Sequence, residues 1–406
     1  MTTTGYAVPI FVLYVHHAGA FGGASCSLLE LIEGFAPGSV KPHLVTQRGG
    51  IVGAFAARGV EVIDTAGISR FDHTRYGHYR GKRWLLLLRE AFYLPFTLFA
   101  LLRARLRWKD IGVVHVNELV SLAAIVMAKA LFRCPVVVHV RSVQNGPDRS
   151  WRAALVRRVL ERWADAVIAI DETVRRSLPP GIAAEVIHNG FTPRERENPR
   201  RAADDRNRPL RVAMVGNLLP LKGVREFIEA ARLCRDRSLP VEFLLVGGNV
   251  RDLAGFAGWA LQRTGFAVDL RAEAARYIAE HRLGASVRLV DFTPDMDAIY
   301  RGTDLLCFPS HLDAVGRPVF EAAYFKVPSI VAVSAPLPDT LIPKKTGLSI
   351  PPGDPRALAD AIEYFCRNPR EIQRMGEAAY RLALRNFDSR RNAARVLDVY
   401  RRVLAK

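Results

Sequence analysis

The chain has no CxxC pair, no His, Cys and carboxylate cluster at metal-ligand spacing, no low-complexity tract and no basic tail. Each absence removes a class. Five cysteines in 406 residues (Cys26, Cys134, Cys234, Cys307, Cys366) are odd in number and scattered. That argues against a disulfide framework and for reduced thiols in a cytoplasmic protein. Without a long polar, low-complexity segment, the whole chain is expected to fold. Zinc-finger and helix-turn-helix spacings are missing, as is an aromatic-interleaved basic motif, so nucleic acid is not the expected partner. The N-terminal apolar stretch has no positive n-region and breaks at His16-His17. It reads as a first buried strand, not a secretion signal.

Acidic residues are the scarcer charge, 40 against 58 basic, for a net charge of +18. The excess is spread over both halves of the chain. Such a field favours anionic partners, phosphorylated substrates or anionic lipid among them.

A chain of 406 residues is long for one domain and comfortable as two. Short Val, Ile and Leu runs recur between helical patterns: "IFVLYV", "HLVTQ", "VEVI", "VVHV", "VVVHV" and "AVIAI". Continuous rather than alternating apolar strands imply a parallel sheet covered on both faces, a doubly wound α/β domain. The pattern stops at "VIHNGF", a charged and proline-bearing linker follows, and a second series begins: "RVAMVG", "EFLLVGG", "SVRLVDF", "DLLCFPS" and "PSIVAV". The expected domains are 1–195 and 208–385, with a last helix over 386–406. Ligands of open α/β sheets bind beyond the carboxyl ends of the strands, so the chemistry belongs just after them.

The stretch "KRWLLLLREAFYLPFTLFALLRARLRWK" is apolar and basic at both ends, but Arg89 and Glu90 lie inside it and Pro95 is expected to interrupt the helix. Two readings stand side by side. It is either a helix lying in a membrane interface or an ordinary helix packed on the first sheet.

After the first strand, Gly22 and Gly23 precede an amphipathic helix, where backbone can approach a ligand closely. After "RVAMVG", Lys222 and Gly223 stand at a helix start, placing a full charge beside backbone donors suited to a diphosphate. Phe292 follows a strand and serves a planar ring or the core. In "PSHLDAVGRPVFEAA", Pro318 marks the first turn of a helix, Gly316 faces a phosphate, and Glu321 in that turn can accept ligand hydroxyls, with Asp313 in the loop ahead.

These residues resemble a family-4 glycosyltransferase of the GT-B fold, two Rossmann-like domains facing across a cleft. The resemblance runs end to end, through "FGGASCSLLEL", "VVVHVRS", "ADAVIAIDETV", "VGNLLPLKG" and "FDSRRNAARVLDVYRRVL". It implies that Lys222 holds the donor diphosphate with N–H groups near Gly316 and Arg317. It also implies that Glu321 binds the ribose, that Asp313 lies beside the transferred sugar, and that His139 approaches from the first domain. Gly22 and Gly23 would border donor and acceptor, and the final helix would pack back on the first domain. Two positions depart from the family pattern: Asn217 where an arginine is usual, and Asp313 where a glutamate is usual. A missing donor to leaving-group charge costs on the order of 3 kcal/mol, so Arg317 or Arg225 is expected to supply it.

The resemblance implies retaining transfer from a nucleotide-diphosphate sugar to a glycan or lipid-linked acceptor, without a metal and with no further cofactor. The acceptor's setting is read as an anionic inner membrane face, in cell-surface polysaccharide or glycolipid synthesis. The alternatives are a nucleotide-sugar epimerase or hydrolase on the same fold, or a nucleotide-sugar-binding protein weakened in catalysis.

Overall fold

The computed structural model describes residues 8–20, 22–75, 77, 79, 81–145, 150–193, 208–248, 263, 268–291, 293 and 295–406, with Lys82 by its backbone alone. It divides into two compact units, Met1–Thr192 with Asp388–Lys406, and Pro193–Phe387.

The first unit runs β1 (Ile10–His16), α1 (Gly23–Gly34), β2 (Val40–Gln47), α2 (Ile51–Ala56), β3 (Glu61–Thr65) and α3 (Leu86–Arg107). It continues β4 (Val113–Val116), α4 (Leu122–Phe132), β5 (Val136–Val140), α5 (Trp151–Trp163), β6 (Ala166–Ala169), α6 (Glu172–Arg176) and β7 (Glu185–Val186). All seven strands pair in parallel in the order β3-β2-β1-β4-β5-β6-β7. Alternate residues bury opposite faces: Leu13, Val15, Val114 and Val116 pack with α3, α4 and α5, while Val12, Tyr14 and Val113 pack with α1 and α2. That two-sided burial is why the strands read as unbroken apolar runs.

The second unit runs β8 (Leu210–Val215), α7 (Val224–Asp236), β9 (Val241–Val246), α8 (Leu270–Glu280), β10 (Val287–Val290), α9 (Met296–Arg301) and β11 (Leu305–Phe308). Then come α10 (Arg317–Tyr324), β12 (Ser329–Ala332), β13 (Gly347–Ile350), α11 (Pro355–Arg367) and α12 (Pro369–Asn386). Its six parallel strands order as β10-β9-β8-β11-β12-β13. β13 is a strand that the sequence reading does not pick out, because Gly347 and Ser349 break its apolar run.

The last helix, α13 (Ser389–Leu404), belongs to the first unit. Asp388 caps it by accepting from the Arg391 N–H at 2.7 Å. Its Val396, Leu397, Val399, Tyr400 and Val403 complete the core on the α1 side of the sheet.

One expectation is corrected: Pro95 does not interrupt α3, which continues through it to Arg107. A proline inside a helix leaves the carbonyl four residues earlier without its donor. Here both Ala91 and Pro95 are exposed, so water can satisfy that carbonyl at little cost.

Candidate active site

In each sheet the strand order reverses once, between β1 and β4 and between β8 and β11. A crevice beyond the carboxyl ends opens at such a switch point. In the second unit both loops singled out from the sequence start there.

The first loop leaves β8 through Gly216 and the exposed Asn217, makes one turn of 3-10 helix over Pro220–Lys222, and enters α7 through Gly223. Gly223 has φ +80° and ψ 30°. A Cβ there would stand 1.9 Å from the Pro309 carbonyl oxygen, in the loop after β11. Both conditions demand glycine. The Ser310 hydroxyl and the His311 N–H donate to the Leu221 carbonyl at 3.1 and 2.9 Å, and His311 Nε2 lies 2.9 Å from Glu226 Oε1. Two loops nearly ninety residues apart are thereby locked into one surface.

The shared floor of that surface is Phe308, the last residue of β11. Lys222 Nζ lies 5.2 Å from the centre of its ring, and a Cβ on Gly316 would meet that ring at 2.2 Å. Lys222 and Gly316 thus both lie against the Phe308 ring. Burial alone pushes the Lys222 ammonium pKa down; no carboxylate contributes to hold it up. A half-buried cation without a carboxylate suits an anionic ligand.

Gly316 is the N-cap of α10 and no side chain caps the helix there; Pro318 has no N–H, and the Val319 N–H donates to the Gly316 carbonyl at 3.1 Å. The helix starts at Arg317, one residue before Pro318, so Glu321 falls in the second turn, not the first. Glu321 is nearly buried. The Arg317 guanidinium forms an i,i+4 ion pair with it, and the Tyr300 hydroxyl donates to Glu321 Oε2 at 2.6 Å. Burial, and then the neighbouring Glu321, push the Tyr300 pKa well up. Each carboxylate oxygen keeps a second lone-pair direction, so Glu321 can still accept a hydroxyl.

Asp313 has φ +46°, the left-handed region, and its Oδ1 accepts from the Ser334 N–H at 3.3 Å, just past β12. The two arginines expected to stand in at Asn217 both hold carboxylates: Arg317 pairs with Glu321, and Arg225 makes a two-point pair with Glu273. Phe292 lies outside the described residues. Phe308, Pro309, Tyr300 and the His311–Glu226 pair escaped the sequence reading, since a strand-terminal aromatic and a helix-borne tyrosine look like core.

In the first unit, Gly22 is the N-cap of α1 and Gly23 its first residue, where a Cβ would meet nothing within 4 Å. His139 is buried on β5. Its Nδ1 lies 3.3 Å from an Arg141 Nη2, and its ring centre lies 5.3 Å from that of His115. Arg141 also donates to Asn117 Oδ1 at 2.7 Å and to Asn189, and Asn117 reaches His16 Nδ1 at 2.9 Å. His115 Nδ1 and the Tyr14 hydroxyl meet the Tyr400 hydroxyl of α13 at 2.7 and 3.2 Å. His139 thus belongs to an interior polar network with His16, His115, Arg141 and Tyr400.

Burial holds four histidines of this unit neutral: His16 is lowered to about 4, and His17, His115 and His139 well below the usual range. Below pH 6.5 the unfolded chain takes up protons that the folded chain refuses, so stability falls with acidification. Each such histidine contributes to the fall below pH 6.5, down to its lowered folded pKa. Buried Glu118, whose carboxyl is pushed up, acts oppositely as a single group. Thermal denaturation at constant ionic strength should show a clearly lower midpoint at pH 5 than at pH 7.5. Equal midpoints would contradict a neutral buried cluster.

Among the described residues, no group of three or more His, Cys, Asp or Glu could hold a metal ion.

Two parallel α/β units with anion-directed loops beyond β8 and β11 define the GT-B class. The model of the glycosyl transferases group 1 family matches residues 195–382, and that of glycosyltransferase family 4 matches residues 21–195. The chain belongs to this family and is a retaining glycosyltransferase that uses nucleotide sugars. Enzymes of this family and fold are typically metal-independent. It is 28% identical over 325 residues to a glycogen synthase of Mycobacterium tuberculosis, covering 74% of this chain and 73% of that protein. It is 25% identical over 342 residues to the MMP alpha-(1->4)-mannosyltransferase of Mycolicibacterium hassiacum, covering 76% and 75%. In structure it resembles Anabaena HepE solved with UDP and glucose (TM-score 0.70, 17% identity, 96% of this chain and 98% of that one). It also resembles the sucrose-phosphate synthase of Thermosynechococcus elongatus (TM-score 0.72, 19% identity, 98% and 99%).

Proposed function

We propose that this enzyme moves a sugar from a nucleotide diphosphate to a glycan or lipid-linked acceptor at the cytoplasmic face of a membrane, in cell-surface polysaccharide or glycolipid synthesis. The observation that carries the donor half is Lys222, a half-buried cation with no carboxylate beside it among the described residues, held next to Gly316 by a shared ring and by the Gly223–Pro309 contact. In the reaction the bond from the anomeric carbon to the β-phosphate oxygen breaks, and a bond to an acceptor oxygen forms on the same face. The acceptor proton leaves with a diphosphate oxygen. Lys222 and the N–H groups at the start of α10 would stabilise the charge that develops there, and their fixed placement keeps reorganisation small.

Glu321, steadied by Arg317 and Tyr300, would accept the ribose hydroxyls. Asp313 would face the transferred sugar, its carboxylate oriented by the Ser334 N–H. As the resemblance implies, His139 would approach the transferred sugar, and Gly22 and Gly23 would border donor and acceptor. The strained backbone at Asp313 supports a functional role, because a non-glycine residue at positive φ persists where the surroundings demand it.

Asp313→Ala tests the assignment: transfer should fall by at least about a hundredfold, the loss of one transition-state contact, with nucleotide affinity within about twofold. Unchanged transfer, measured across uridine, guanosine and adenosine diphosphate sugars, would refute the role of Asp313.

A further inference from the structure

We propose that α3 is a membrane-docking helix that lies in the plane of an anionic bilayer with its outer face in the headgroup–acyl boundary. This deepens the acceptor reading by naming the surface that would bring the chain to a lipid-linked acceptor.

By length and composition Arg83–Arg107 could cross a bilayer, but its inner face is tied to the first unit. Buried Glu90 accepts from the Arg70 N–H at 2.9 Å and pairs with Arg89. Buried Thr97 accepts from the Ser69 N–H at 2.8 Å, and Leu101 and Ala104 lie in the core. Those positions recur at 7, 4 and 3 residues and share one side of the helix. The opposite side carries Leu85, Leu88, Phe92, Phe99 and Leu106, each 62–76% exposed. Their spacings of 3, 4, 7 and 7 make one continuous apolar stripe along the helix.

Soluble proteins seldom leave such a stripe bare. Its surroundings match anionic lipid. Arg103, Arg105 and Lys109 are exposed at its C-terminal end. At its N-terminal end Trp84 is 41% exposed, with the Arg152 guanidinium 5.6 Å from its ring, the pairing of amphipathic aromatic and cation that suits a lipid–water boundary. A second copy of this chain would carry a net charge of +18 itself and bring its own Arg103, Arg105 and Lys109 against the first copy's, which opposes self-association and favours an anionic surface.

The test is flotation of the full chain with vesicles of phosphatidylglycerol and phosphatidylcholine, against phosphatidylcholine alone. The parent should float with the anionic vesicles and bind neutral ones at least about tenfold less. Leu88→Asp with Phe92→Asp and Phe99→Asp should abolish flotation, leaving thermal midpoint and nucleotide affinity unchanged. Arg103→Gln with Arg105→Gln should weaken anionic binding about fivefold per cation removed. A parent that stays with the soluble fraction overturns the proposal, as does a triple variant that floats like the parent. So does a parent dimer, by light scattering, that the triple variant converts to monomer; a second copy then covers the stripe. Flotation is read apart from turnover, so an inactive chain that floats leaves docking standing, and an active chain that does not float removes docking alone.

Discussion

Replacing Lys222 with Met is expected to slow glycosyl transfer by about a hundred- to a thousandfold while leaving the ligand-free chain at least as stable as the parent. The two halves follow from one geometry. Nζ lies over the Phe308 ring with no carboxylate contributing to its charge, so the folded chain bears the desolvation of a cation offset only in part by the ring. A methionine of similar length removes that cost and keeps the contact with the ring. On the proposed reading, what disappears is the fixed charge facing the departing diphosphate, while Arg225 and Arg317 each already hold a carboxylate. Initial rates at saturating donor test the first half, and melting with and without nucleoside diphosphate tests the second. A midpoint several degrees below the parent's would mean that Lys222 is structural.

Gly223→Ala should destabilise the second unit by about 3 kcal/mol or more, the combined cost of a residue forced to positive φ and of an overpacked contact. The added carbon would stand 1.9 Å from the Pro309 carbonyl oxygen. Backbone cannot swing aside as a side chain does, so the two loops must part, and the Leu221 hydrogen bonds to Ser310 and His311 weaken with them. Nucleotide affinity should therefore fall along with the thermal midpoint, even though Gly223 contributes no side chain. An Ala variant with parental melting and affinity would show that the loops are not coupled through this contact.

Most of the sheet architecture was legible in the chain, since strands buried on both faces write themselves as unbroken runs of Val, Ile and Leu. β13 was not, because Gly347 and Ser349 interrupt its run and only its neighbour β12 makes it a strand. Lys222, Gly316 and Glu321 were legible as types at positions: a cation at a helix start, a glycine at an N-cap, a carboxylate in an early turn. Their partnerships were not. Only the Arg317–Glu321 pair follows from spacing, i,i+4 within α10; that the Tyr300 hydroxyl of α9 would meet Glu321 is a fact of tertiary packing that local spacing does not carry. The same holds for Pro95, whose effect on α3 depends on which side of the helix it faces. The histidine network was hidden for a related reason: His16, His115 and His139 sit in apolar strands and become neighbours only through strand pairing.

The first unit is assembled from both ends of the chain, with α13 closing the sheet face that α1 and α2 leave incomplete. On the ribosome this reverses the usual order. Residues before Thr192 emerge first, yet Tyr14, Val12 and His115 keep an unfinished surface until all of Pro193–Phe387 has been made and Ser389–Leu404 follows. The continuous second unit can finish folding earlier, so the nascent first unit is the one that must be shielded from aggregation during synthesis.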